Sequence, residues 1–330
     1  MKPSVLVTRN VFPDVVDRLR EYFDVEDNPS DRVFPKAELI TRLRGKIGAF
    51  TTGSVPIDAE VLDANPQLKV VANMAVGYNN FDVPACTARG VLCTNTPDVL
   101  TETTADFAFA LMMATARRIT ESEHYLRRGE WTKWFYDMFV GSDVHGATLG
   151  ILGMGRIGQA VAKRGAHGFG MRVIYHNRSR LPAAIEAECK AGYVDKATLL
   201  READHLVLVV PYSPESHHAI GAAELALMKP TATLTNIARG GIVDDAALAK
   251  ALAERRIAGA GLDVFEGEPK VHPELLKVPN VVLTPHIASA TVATRRAMAN
   301  LAADNLIAAL GFGPHAGRPP NPLNPELLQT

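Results

Sequence analysis

The chain has 330 residues, of which 47% are hydrophobic and 22% charged. That balance excludes a wholly disordered polypeptide and, at roughly 150 residues per domain, fits about two domains. The 35 basic and 36 acidic side chains leave a formal net charge of -1, so no overall basic field awaits a phosphate backbone and no nucleic-acid partner is expected.

Val5-Leu6-Val7-Thr8 reads as a first strand, too short an apolar run for a signal peptide. Val15, Val16, Leu19 and Phe23 follow at helical spacing. Strands are predicted again at 47–51, 70–74 and 91–93, and this alternation argues for a parallel sheet with helices on both faces. A long helix is predicted over 101–119, with Glu102 near its start and Arg117-Arg118 near its end to suit the helix dipole. Its most apolar part, 105–116, carries Asp106 and falls short of the roughly 20 apolar residues of a membrane span. No membrane partner is expected. An aromatic-rich segment, 131–139, breaks the rhythm. A second series then sets strands at 148–152, 172–175, 206–210, 232–235, 259–263 and 281–284, followed by a helix over 290–310 and a Gly/Pro-rich, irregular tail over 311–325. Three cysteines, Cys86, Cys93 and Cys189, have no C-x-x-C spacing and fit a reducing, cytoplasmic setting.

Directly after the strand at 148–152 stands Gly153-Met154-Gly155-Arg156-Ile157-Gly158, and a helical run follows. In that strand–turn–helix context G-x-G-x-x-G is a dinucleotide cradle. The first glycine permits the turn, the second lets backbone approach a pyrophosphate, and the third lets helix pack on strand. An acid about 20 residues on would bind the ribose 2′-hydroxyl of NAD. Here the strand runs into His176-Asn177-Arg178-Ser179-Arg180, with no carboxylate. Two arginines and a serine suit a 2′-phosphate, so NADPH is the expected cofactor and NADH the alternative.

Three more segments end predicted strands, where a doubly wound sheet places its ligand crevice. They are Asn236-Ile237-Ala238-Arg239-Gly240-Gly241, Asp263-Val264-Phe265-Glu266-Gly267-Glu268-Pro269 and Thr284-Pro285-His286-Ile287-Ala288-Ser289. With these the chain, over essentially its whole length, resembles the D-isomer-specific 2-hydroxyacid dehydrogenases. The segments around Val76-Gly77-Tyr78, Gly129-Glu130-Trp131 and Gly141-Ser142-Asp143 make it most similar to the glyoxylate/hydroxypyruvate reductase B branch, also called 2-ketogluconate or ketoaldonate reductases.

The resemblance implies two doubly wound α/β domains, a Rossmann cofactor domain inserted into a flavodoxin-like substrate domain. Residues 1–98 with 288–330 would form the substrate domain, and 99–287 the cofactor domain, with 101–145 as a dimerisation region. It implies NADPH-dependent reduction of small 2-oxoacids: glyoxylate to glycolate, hydroxypyruvate to D-glycerate and 2-ketogluconate to gluconate. Arg239 would hold the substrate carboxylate, His286 would donate the proton, and Glu268, preferred to Glu266 because it precedes Pro269, would pair with the histidine. Reduction should then lose rate as pH rises through the titration of that pair.

Val76, Gly77 and Ser289 would meet the substrate; Pro211, Ser216 and Ile237 would line the cofactor, and Asp263 would bond the nicotinamide amide. Trp134 would reach the partner subunit's site in a homodimer. No metal is expected, since His217-His218 and His272 have no partners at metal spacing. Two readings compete: an NAD-dependent dehydrogenase of another hydroxyacid, and a nucleotide-sensing binding protein on the same fold.

Overall fold

The computed structural model describes residues 1–328. The chain forms two compact units, one from residues 1–100 with the chain from 290 onward, the other from residues 101–289.

In the first unit, β1 (Ser4–Val7), β2 (Asp24–Glu26), β3 (Gly48–Thr51), β4 (Val70–Asn73) and β5 (Leu92–Thr94) make one sheet in the order β2-β1-β3-β4-β5. Every pairing is parallel, which gives the flavodoxin-like strand order. Leu6, Leu39, Leu43, Ile57, Leu62 and Val71 form a core on one face. The helix Val292–Ala309 lies against β3, β4 and β5 and buries Met298, Ala302, Leu306 and Ile307. The tail beyond it has little regular structure but is pinned: the Cys93 N–H donates to Asn324 Oδ1 at 2.9 Å.

In the second unit, β6 (Thr148–Leu152), β7 (Arg172–His176), β8 (Ala191–Tyr193), β9 (His205–Leu208), β10 (Thr233–Asn236), β11 (Gly259–Leu262) and β12 (Val281–Leu283) pair in the order β12-β11-β10-β9-β6-β7-β8. All are parallel. Counted from β6 this is the Rossmann order with one more strand, and the order reverses between β6 and β9. Side chains alternate across the sheet as a period of two requires. Leu206 and Leu208 join one core with Leu234, Leu248 and Leu252. Val207 joins the other with Met112, Ile151, Val161 and Tyr175.

Three differences from the sequence reading have physical causes. The edge strands β2 and β8 were not expected; three residues each are too few to show a periodicity. The helix expected over 101–119 ends at Ala116, and a second helix that was not expected runs over Ile119–Arg127, with Arg118 between them at φ 53°. No Gly, Asn or Pro marks that break; the Arg118 guanidinium instead bonds Glu121 at 2.8 Å and lies 5.2 Å over the Phe139 ring. β9 stops at Leu208 because the backbone of Val209 and Val210 passes against Gly153. Among the described residues no helix is long and apolar enough to cross a membrane.

Candidate active site

The order reversal sets the loop after β6 beside the loop after β9. Gly153 has φ +100°, and a Cβ there would lie 2.7 Å from the Val210 nitrogen. A Cβ on Gly158 would lie 2.2 Å from the Gly153 oxygen, so the helix Arg156–Lys163 sits directly on the turn. At Gly155 the case is opposite: a Cβ would meet nothing within 4 Å. That glycine is the N-cap of the helix and brings no side chain to cap it. A helix N-terminus capped by glycine, with exposed Arg156 and half-buried Ile157 in its first turn, fits a pyrophosphate.

The segment after β7 is more ordered than its composition suggests. Asn177 Oδ1 accepts the Met154 N–H at 2.6 Å and so ties the end of β7 to the glycine loop. Arg180 already has a partner beside this loop. Its Nε and Nη2 donate to Glu186 Oε1 and Oε2 at 2.9 and 2.8 Å, and Tyr175 Oη donates to the same carboxylate at 2.7 Å. The Arg180 fork, then Tyr175, hold Glu186 below the usual carboxylate range despite its burial. Arg180 thus also braces this loop, and Arg178, Ser179 and Arg180 are all exposed.

The catalytic candidates hang from three neighbouring strand ends. After β10, Asn236 Oδ1 accepts the Ala238 N–H at 3.0 Å and its amide donates to the Arg239 carbonyl at 3.3 Å. This clasp turns the chain. A Cβ on Gly240 would fall 1.7 Å from the Phe265 oxygen, so the Arg239 turn rides on the loop after β11. On that loop Glu268 Oε1 accepts the Phe265 N–H at 2.9 Å, and Oε2 lies 2.8 Å from His286 Nδ1. Burial works to raise the Glu268 pKa; the His286 and Phe265 hydrogen bonds and the charge of Arg239 outweigh it and leave it lowered. An ionised carboxylate only accepts, so His286 Nδ1 carries the proton between them and Nε2 is the ring atom left for a substrate. Burial pushes the Arg239 guanidinium below its ordinary value, and Glu268 pulls it back; it remains a cation. The Glu266 carboxylate lies instead 2.9 Å from His218 Nε2, so Glu268 is the acid at His286.

Asp263 holds the histidine loop. Its fully buried carboxylate accepts Thr284 Oγ1, the Ile287 N–H and the Ala288 N–H, each at 2.8 Å. Its own carbonyl accepts the His286 N–H at 2.8 Å. Burial raises the Asp263 pKa against these bonds. The residue expected at the nicotinamide amide thus also brackets the histidine loop. That loop needs a bracket, because His286 sits at φ 55°, a left-handed conformation that a non-glycine residue holds only when its surroundings enforce it.

The remaining candidates are placed as follows. Ser216 Oγ donates to the Pro211 carbonyl at 2.9 Å and accepts the Ser213 N–H at 2.7 Å, closing the turn after β9. Ile237 is buried and Ser289 half-buried. Trp134 is 74% exposed. Val76 and Gly77 belong to the first unit, where Asn95 and Asn73 bond their carbonyls at 2.8 and 3.0 Å and fix the loop after β4. Sequence reasoning missed Asn236, Glu186 and the bracket role of Asp263. The Asn-x-Ala turn at 236 carries a local signal for the first; Glu186 carries none.

The family model described as "D-isomer specific 2-hydroxyacid dehydrogenase, NAD binding domain" matches residues 109–288. A glyoxylate reductase of Thermococcus gammatolerans is 53% identical over 312 residues, 93% of each chain. One of Thermococcus onnurineus is 50% identical over 100% of this chain and 98% of its own. Among solved structures, a Thermus thermophilus protein superposes with a TM-score of 0.87 at 44% identity, covering 97% of this chain and 99% of that one. An NADPH-dependent glyoxylate/hydroxypyruvate reductase of Sinorhizobium meliloti, in complex with NADP and malonate, gives 0.86 at 37% identity, covering 98% and 97%.

Proposed function

The chain belongs to the D-isomer-specific 2-hydroxyacid dehydrogenase family, and from that premise we propose that it reduces glyoxylate to glycolate, and hydroxypyruvate and 2-ketogluconate by the same chemistry, with NADPH preferred. The observation that carries this is the junction of Arg239, Glu268 and His286, with Glu268 Oε2 2.8 Å from His286 Nδ1. The nicotinamide, when bound, supplies hydride to the carbonyl carbon. Arg239 holds the 2-oxoacid carboxylate with two parallel N–H donors and so orients the carbonyl. His286 gives its Nε2 proton to the carbonyl oxygen as charge develops there, and Glu268 stabilises the imidazolium that must be present beforehand. Ser289 contributes a hydroxyl to the substrate.

On this reading the first unit is the substrate domain and the second the cofactor domain. Gly155 and the helix after it would hold the cofactor pyrophosphate, and Pro211, Ser216 and Ile237 would line the cofactor. NADPH preference rests on Arg178 and Ser179, set in place by the Arg180–Glu186 brace. The enzyme is a cytoplasmic homodimer; exposed Trp131, Trp134 and Tyr136 lie within the proposed dimerisation region, and Trp134 would reach the partner's site.

Steady-state oxidation of NADPH and NADH with glyoxylate, hydroxypyruvate and 2-ketogluconate tests the proposal. Strong NADPH-linked turnover is expected. Arg178→Ala should raise the KM for NADPH about tenfold to 100-fold, the scale of one charge-assisted hydrogen bond, and leave that for NADH near its starting value. An NADH preference in the wild type would refute the cofactor assignment alone. Binding of cofactor without turnover of any 2-oxoacid would favour a nucleotide sensor.

Against the effect of burial, the Glu268 carboxylate is held below the usual carboxylate range, chiefly by its hydrogen bond to His286, so it is ionised throughout the neutral range and holds the Nδ1 proton of the ring. Glu268→Gln removes that charge, so the chemical step at neutral pH should slow about 10- to 100-fold while the KM for cofactor stays near wild type. A single-turnover rate unchanged by the substitution would remove Glu268 from this role.

A further inference from the structure

His217 and His218 looked unsupported in sequence, yet the fold brings a third donor to them. Ring nitrogens of both and a carboxylate oxygen of Glu266 all lie within 4.8 Å of one another. The two imidazoles are stacked, centroids 3.9 Å apart at 23°. His218 Nε2 is 2.9 Å from Glu266 Oε2, and Tyr212 Oη is 3.3 Å from His217 Nδ1. None of these side chains has a part in the hydride chemistry above.

We propose that His217, His218 and Glu266 form a binding site for a divalent transition ion of the zinc or nickel type. Two imidazole nitrogens with one carboxylate oxygen suit Zn²⁺ and Ni²⁺ and do not suit Mg²⁺ or Ca²⁺, which take all-oxygen shells. Bonds of about 2.0–2.1 Å around a tetrahedral ion keep its donors roughly 3.3 Å apart. The three atoms are therefore close to coordinating distance before any ion arrives. Their backbones are already held. The Glu266 N–H donates to Asp245 Oδ2 at 3.1 Å, and the His218 N–H donates to the Gly241 carbonyl at 2.7 Å. His218 is also kept at φ 49°. Little ordering remains to be supplied on binding, which favours affinity. The partly exposed side chains leave the remaining coordination positions to water. The ion would replace the His218–Glu266 hydrogen bond with a clip between the loop after β9 and the loop that carries Glu268.

The test uses full-length protein without a histidine tag, freed of metals by chelator. Titration calorimetry with zinc chloride and with nickel chloride should show saturable binding of one ion per chain, while magnesium chloride shows none. His218→Ala and Glu266→Gln should each weaken zinc binding by about tenfold or more, as loss of one of three protein ligands requires. His315→Ala, which removes an exposed histidine of the other unit, should leave it unchanged. Zinc should raise the Tm of the wild type and of H315A, and leave that of H218A near its metal-free value. No saturable binding would overturn the proposal, as would affinity that H218A and E266Q leave intact.

Discussion

His286→Asn is expected to cut kcat for glyoxylate reduction by about 10²–10⁴-fold, the usual contribution of a positioned general acid, while the KM for cofactor and the Tm stay near wild type. Asn is chosen for a structural reason. His286 stands at φ 55°, and beyond glycine it is Asn that best tolerates that region. The loop, bracketed through Asp263 to Thr284, Ile287 and Ala288, therefore keeps its shape, and the proton donor alone is lost. Alanine at this position would add backbone strain to the chemical defect. Single-turnover rates beside a thermal melt separate the two. A loss below about tenfold with an unchanged melt would take the proton transfer away from His286.

The second large effect is expected at Arg239. Arg239→Lys keeps a positive charge beside Glu268 but replaces a planar fork by a point charge on a flexible stem. The carboxylate of a 2-oxoacid then loses one of two parallel bonds and its fixed orientation. Truncation of a desolvated, hydrogen-bonded charge pair costs about 2–5 kcal/mol, so Arg239→Ala should lower kcat/KM for glyoxylate about 30- to 4,000-fold, with Lys between Ala and Arg. Most of the loss should be in KM, with a smaller part in kcat because a misaligned carbonyl meets hydride poorly. A KM for glyoxylate unaffected by Arg239→Ala would show that another group holds the carboxylate.

Much of this molecule is legible in its sequence because two patterns are strong. Buried parallel strands are nearly continuous apolar runs between glycines and helical spacings, so 148–152 or 206–210 stand out. The glycine loop and the Arg239, Glu268 and His286 segments are local strings whose geometry follows from backbone constraints. What stayed hidden depends on contacts between distant residues. Nothing near Arg180 announces that Glu186, only 8% exposed, takes its guanidinium. Nothing in the spacing of His217 and His218 points to Glu266, which reaches them only because Gly240 lets the turn after β10 lie against Phe265. Asp263 reads as a ligand residue at a strand end; only its burial shows that its oxygens belong to the histidine loop. The break at Arg118 was equally silent, since an arginine in the left-handed region has no compositional marker.

The first unit is discontinuous: its helix Val292–Ala309 covers β3, β4 and β5, while the second unit lies wholly within 101–289. This imposes an order of events on a chain emerging from the ribosome. At roughly 5–20 residues per second, the first hundred residues wait on the order of ten seconds or more, with one face of their sheet uncovered, until the covering helix is made. The inserted unit contains its whole core and can close earlier. The nascent protein thus completes its inserted unit before its discontinuous one, and the stretch of synthesis between them is when chaperone contact with the uncovered sheet would matter most.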